Sequence, residues 1–324
     1  MTVAEHPDST AGTASDPAAA VTETNPPAQL WTPASPDLLI HADNLTAMRR
    51  MPDASMRMVY LDPPFNTGRA QERRTTSHAR ATSDAGPVDD TSTAGGGRTN
   101  AWRGFGGESY TRTIEALSSY DDRFADYWGF LAPRLLEARR LLDDRGTLYL
   151  HLDYREAHYA KVALDALFGR DCFLNEIIWA YDYGAKSRSR WPTKHDTILV
   201  YVKDPERYHF DSTEVDREPY MAPGLVTPEK AALGKLPTDV WWHTIVGTTS
   251  REKTGYPTQK PVGILRRMIQ ASTAPGDWVL DPFAGSGTTA AAAHALGRRT
   301  VSIDSGADAV AVMATRLALT AHRL

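Results

Sequence analysis

Residues 278–304 run strand, glycine-bearing turn, helix, strand and terminal acid, and this unit narrows the folds open to the chain more than any other stretch. Trp278-Val279-Leu280 reads as a buried strand. Asp281-Pro282-Phe283-Ala284-Gly285-Ser286-Gly287-Thr288-Thr289-Ala290 reads as a turn into a helix that opens near Gly287, and Thr300-Val301-Ser302-Ile303 as a second strand closed by Asp304. Gly285 and Gly287 let the backbone turn sharply and approach a ligand, Ala290 permits close helix packing, and an acid after the second strand can accept from ribose hydroxyls. These residues alone fit any nucleotide-bearing cofactor, nicotinamide included.

The alternation extends along the chain. Leu38-Leu39-Ile40-His41 and the run into Leu61 read as strands, with a brief helix through Leu45 and Met48 between them. Trp128, Leu131, Leu135, Ala138 and Leu142 mark one face of a helix over 125–144, which Gly146 is expected to end. Strands follow at 147–152, 177–181 and 197–202, with a helix through Ala160, Leu164 and Phe168 after the first of them. Helices at 261–269 and 307–319 complete the pattern, which predicts a doubly wound α/β fold with a mostly parallel sheet. Residues 1–36 have few large apolar side chains to offset the entropy of ordering, so a disordered tail is expected before a domain at 37–324. The tract 69–108 shows no periodicity and reads as a mobile loop. In the irregular stretch 203–255, Trp241-Trp242-His243 is read as packing.

The strand Met58-Val59-Tyr60 ends in Leu61-Asp62-Pro63-Pro64-Phe65-Asn66. Neither proline has a backbone donor and each fixes its own φ, so the carbonyls of Asp62 and Pro63 stay out of a regular ladder and can accept hydrogen bonds. A carboxylate, bare carbonyls and the Phe65 ring suit a planar ligand with an exocyclic amino group, such as an extruded nucleobase. The plainer reading is that the prolines break the strand and Asp62 caps a turn.

The 324 residues carry a formal net charge of -4, so any nucleic-acid surface has to be a local basic patch. Lys186, Arg188, Arg190 and Lys194, interleaved with serines and Trp191, form one candidate, cations for phosphates beside a ring that can stack, although many such runs are merely solvated loops. The single cysteine, Cys172, excludes an intramolecular disulfide and a cysteine-built metal site. His151, His158 and His195 share no ligand spacing, so no metal is expected, and His151 and Asp153 are open to a structural role or to a base pocket. No apolar run is long enough to span a bilayer and no signal peptide is evident, so a cytoplasmic protein is expected.

Asp62-Pro63-Pro64-Phe65, Phe283-Ala284-Gly285-Ser286-Gly287-Thr288-Thr289 and Thr258-Gln259-Lys260-Pro261 together resemble the DNA amino-methyltransferases, and the motif order resembles their β group. The resemblance covers roughly residues 37–322, including His41-Ala42-Asp43-Asn44-Leu45 and Gly146 to Asp153. It implies a circularly permuted, seven-stranded Rossmann-like methyltransferase sheet with one antiparallel strand. It further implies S-adenosylmethionine (AdoMet) held by Asp43, Lys260, Asp281, Phe283, Ala284, Gly285, Ser286, Gly287, Thr288 and Asp304. The amine would be placed by Asp62, Pro63, Pro64 and Phe65. Double-stranded DNA is the implied substrate, with adenine N6 favoured over cytosine N4 by the aspartate at position 62, a target-recognition insert at 203–255, a monomer or homodimer, and a cognate endonuclease if the enzyme serves restriction-modification. A non-catalytic DNA-binding protein of the same fold, and an RNA or protein-glutamine methyltransferase, are the rival readings.

Overall fold

The computed structural model describes residues 30–66, 126–183, 186–247 and 249–324, together with the backbone of four strands outside those ranges. In chain order the first half holds β1 (Glu23–Thr24), β2 (Leu38–His41), α1 (Asn44–Arg49), β3 (Met56–Leu61), β4 (Arg69–Arg80), β5 (Asn100–Arg103), β6 (Ser109–Asp122), α2 (Tyr127–Leu141), β7 (Leu142–Leu152) and α3 (Ala157–Phe168). The second half holds β8 (Phe173–Ala180), β9 (His195–Val202), α4 (Pro228–Leu233), β10 (Val240–Trp242), α5 (Val262–Ser272), β11 (Trp278–Asp281), α6 (Thr288–Ala295), β12 (Arg299–Asp304), α7 (Ala307–Leu317) and β13 (Ala321–Arg323).

One sheet runs β1-β13-β2-β12-β11-β3-β7-β9-β8-β10. Every neighbouring pair is parallel except those made by β9, which is antiparallel to both β7 and β8. The inner strands from β2 to β8 are the expected seven, and β1, β13 and β10 extend the edges. Successive side chains of a strand face opposite ways, and β3 shows both faces occupied. Val59 and Leu61 pack with Met48 of α1, Leu131 and Leu135 of α2 and Leu164 of α3, whereas Met58 and Tyr60 pack with Ile264, Leu265 and Met268 of α5 and Ala292 of α6.

Four expectations need correction. The domain begins before Asp37: Leu30 and Trp31 are 1% and 5% exposed, and Trp31 meets Trp278 edge-on at 5.5 Å. Arg299 donates to the carbonyls of Pro33 and Ser35, so these two apolar side chains and one arginine anchor a segment whose composition is otherwise that of a tail; the rest of the tail prediction, save the β1 backbone, lies outside the described residues. Within the predicted loop 69–108, β4 and β5 each pair antiparallel with β6, where threonine, tyrosine and isoleucine favour strand without a clean alternation; 81–99 and 104–108 lie outside the described residues. Helix α2 stops at Leu141, and Gly146 falls inside β7, where a Cβ would come within 3.1 Å of the Arg57 carbonyl. Of the two tryptophans read as packing, Trp241 is buried and Trp242 is 69% exposed.

Candidate active site

Parallel pairing of β3 with β11, and of β11 with β12, brings their carboxyl ends side by side, so Asp62, Asp281 and Asp304 gather at one edge of the sheet although the chain separates the first two widely. A cavity of about 440 Å³ opens there. It is lined by the proposed acceptor group Asp62, Pro63, Pro64 and Phe65, and by Asp43, Lys260, Asp281, Phe283, Ala284, Gly285, Ser286, Thr288 and Asp304 from the proposed cofactor group. Gly287 shapes the turn from behind. It adopts a left-handed φ of 72° at the N-cap of α6, and a Cβ there would lie 2.8 Å from Met313 Cγ.

The turn is held by its two acids. Asp304 accepts from the amides of Gly285 and Gly306, both at 2.8 Å. Asp281, 3% exposed, accepts from the Phe283 amide at 3.0 Å and the Thr289 hydroxyl at 2.5 Å. Burial outweighs these bonds and pushes the Asp281 carboxyl up to about 7, with the nearby charges of Asp62 and Asp304 adding to the rise. Burial also raises Asp304.

Asp62 is met by Lys260, whose Nζ donates to Oδ1 at 2.8 Å and to Oδ2 at 2.7 Å and lies 4.9 Å from the Phe65 ring centroid. Behind them, His151 is wholly buried, its ring 5.7 Å from that of Phe65. Nε2 lies 3.2 Å from Asp196 Oδ2 and Nδ1 2.8 Å from the Tyr60 hydroxyl. A carboxylate can only accept, so in the neutral ring Nε2 carries the proton and Tyr60 donates to Nδ1. Burial opposes the charge on Asp196, but hydrogen bonds from His151 and Tyr181 and the charge of Lys260 hold its carboxyl below the usual range. His151 therefore backs the pocket, whereas Asp153 turns away to Arg155.

Sequence reasoning missed Arg134 and Asn44. The Arg134 guanidinium donates to Asn44 Oδ1 at 2.6 Å, Phe130 O at 2.6 Å and Asp43 Oδ2 at 2.7 Å, and Asn44 Nδ2 donates to the Pro282 carbonyl at 2.7 Å. This ties the start of α1 to the glycine turn. Asp43 loses hydration on burial, yet bonds from Thr46 and the Arg134 charge keep its carboxyl below the ordinary value. The one sequence signal was a cation beside the apolar stripe of α2.

Lys186, Arg188, Arg190, Trp191 and Lys194 do not line the cavity. They belong to the connection from β8 to β9, which leaves and re-enters the sheet at the same carboxyl edge. Trp191 is 94% exposed, and Tyr183 and Trp242 are exposed at that edge too; Lys194 donates to the Asp182 carbonyl.

A family model described as DNA methylase, for the N6 and N4 enzymes, matches residues 56–315. The chain belongs to the N6/N4 DNA methylase family. Among similar proteins, the DNA adenine methyltransferase YhdJ of Escherichia coli K12 is 27% identical over 292 residues, covering 88% of this chain and 83% of that one. The type II methyltransferase M.HpaI of Haemophilus parainfluenzae is 26% identical over 281 residues, covering 86% and 73%. Two solved structures share the fold: the cytosine-N4-specific PvuII DNA methyltransferase has a TM-score of 0.54 at 15% identity, covering 85% of this chain and 84% of that one. The M1.HpyAVI complex with AdoMet has a TM-score of 0.52 at 18% identity, covering 87% and 99%. Among the described residues of this family member, no helix is long and apolar enough to cross a membrane.

Proposed function

We propose that this methylase transfers a methyl group from AdoMet to the N6 amine of adenine in double-stranded DNA. The observation that carries the reading is that one cavity holds both the Asp62-Pro63-Pro64-Phe65 group and the glycine turn with Asp304.

The residues present fit AdoMet. Left-handed Gly285 and Gly287 leave a cradle that side chains would crowd, Gly285 because a Cβ would sit 3.1 Å from the Tyr256 ring. Asp304 and Asp43 offer acceptors for hydroxyls, Phe283 and Phe130 offer apolar faces, and among the described lining residues four aspartates against one arginine and one lysine give a negative character that suits a cationic ligand. When bound, AdoMet supplies an electrophilic methyl group on a positively charged sulfur.

The chain's own residues supply position. An exocyclic amine is a poor nucleophile because its lone pair is delocalised into the ring. Asp62 and the Pro63 carbonyl accept from its two N–H groups, which turns the lone pair out of conjugation and towards the cavity. Phe65 stacks on the extruded base. The proton that the amine sheds once it is methylated is taken at a carboxylate oxygen of Asp62 or by water. The basic connection at 186–194, with Trp191, lies against DNA at the carboxyl edge, and the segment 203–255, which brings exposed Trp242 to that edge, selects the target.

The aspartate at position 62 and the similarity to an adenine methyltransferase favour adenine, whereas the fold is shared with a cytosine-N4 enzyme and does not discriminate. Incubating DNA with the protein and labelled AdoMet, followed by mass spectrometry of nucleosides, should place label in 6-methyladenine. Label only in 4-methylcytosine would replace the acceptor, and no label in DNA would favour a non-catalytic role.

A further inference from the structure

Among the described residues two cationic side chains line the cavity, Arg134 and Lys260, and they are held very differently. Arg134 spends its planar fork on Asn44, Phe130 and Asp43 and lies 3.9 Å from the Phe130 ring centroid, so re-aiming it would break three short bonds at once. Lys260 is a point charge on a four-carbon stem, and its hydrogen bonds go to the two oxygens of Asp62, at 2.8 and 2.7 Å. Both side chains of that pair are largely withdrawn from water, 13% and 16% exposed. The arrangement poses two conflicts for the reaction proposed above. An incoming amine would find both Asp62 oxygens already accepting from an ammonium, and the carboxylate of AdoMet would enter a cavity rich in aspartates with no other cation among the described lining residues able to turn to it.

One movement resolves both. We infer that Lys260 is a partner-exchanging latch: it holds Asp62 in the free protein and passes to the carboxylate of AdoMet, so that cofactor binding releases Asp62 for the acceptor amine. The inference rests on AdoMet being the cofactor. Lys260 is then a binding residue towards the cofactor and a positioning residue towards Asp62, and the order of binding, cofactor before base, is built into the cavity.

A bond that must break before a ligand binds lowers that ligand's affinity. Asp62→Asn, which keeps the shape of the side chain and removes its charge, should therefore bind AdoMet more tightly than the wild type, by about tenfold, or ~1.4 kcal/mol. The sign is diagnostic, because AdoMet carries a net positive charge and simple removal of an aspartate from its pocket would weaken it. The gain should be absent for decarboxylated AdoMet, which offers Lys260 nothing, and absent in the Asp62→Asn, Lys260→Met double variant. Lys260→Met alone should weaken AdoMet without weakening the decarboxylated compound, while Lys260→Arg should restore part of the preference. Isothermal titration calorimetry on the full chain without DNA reads all of these, with melting curves to confirm that each variant is folded. Unchanged or weaker AdoMet binding in Asp62→Asn, or an equal gain for both compounds, would overturn the latch and leave the cofactor reading standing. A folded wild type that binds neither compound would overturn both.

Discussion

Asp281→Asn should stabilise the protein in alkaline solution and leave it unchanged in mild acid. Asp281 is buried at the end of β11, where loss of water pushes its carboxyl from the ordinary 3.8 up to about 7. A carboxyl raised on folding binds its proton more tightly in the native state, so between these two values the native state holds more protons than the unfolded one. Its contribution to stability is therefore full below about pH 4, declines as the pH rises towards 7, and is lost above that. The interval corresponds to a penalty on the order of 4 kcal/mol for burying the ionised group, an upper figure because the cavity can admit water. Asparagine has nearly the shape of the protonated acid. Its carbonyl can keep the Phe283 amide, 3.0 Å from Asp281 Oδ1, while the Thr289 hydroxyl can rotate to accept from the new amide. The two proteins should thus be nearly equal at about pH 4, and the variant should be ahead by ~1–3 kcal/mol at pH 8. Urea titrations at both values, followed by tryptophan fluorescence, measure this directly. A difference that does not change with pH, or a variant that is the less stable at pH 8, would refute the assignment of a strained, proton-retaining carboxyl to this position.

Two other outcomes follow from packing and charge. Trp31→Ala should cost ~3 kcal/mol in chemical denaturation, because the ring is 5% exposed and rests on Trp278, and a loss under about 1 kcal/mol would return residues 30–36 to the tail. Neutralising Arg188, Arg190 and Lys194 together should weaken DNA binding and flatten its salt dependence, each lost phosphate contact lowering the log–log slope by about one, with AdoMet affinity preserved; an unchanged slope would make the segment an ordinary solvated connection.

The parts of the site that could be read from the residues are those where the backbone itself is unusual. Two prolines after β3, two left-handed glycines before α6 and acids at strand ends are local signals, each with a local physical cause. The periodic faces of α2, α3 and α5 gave the layers in the same way. What stayed hidden depends on partners distant in sequence. Lys260 and Asp62 are 198 positions apart, and Arg134 meets Asp43 across 91, so no spacing announces either contact. Leu30 and Trp31 were lost in the composition of their neighbours, and the strands β4 to β6 in a tract without alternation.

The permuted order of the motifs has a structural meaning that the sheet makes plain. Val279 pairs with Met58 and Leu280 with Val59, so the strand bearing the acceptor group lies directly beside the strand bearing the glycine turn, although one comes early in the chain and the other near its end. Parallel strands joined by long crossovers leave the carboxyl edge open wherever the connections run, and adjacency at that edge, rather than order along the chain, sets which groups meet. The reach of Lys260 to Asp62 depends on the same adjacency, since Lys260 precedes α5 and α5 packs on Met58 and Tyr60 of β3. A rearranged chain order that kept β3 next to β11 and α5 over β3 would keep the cavity, its carboxylates and the latch; one that inserted a strand between β3 and β11 would move Asp62 about 5 Å away from Asp281 and dissolve all three.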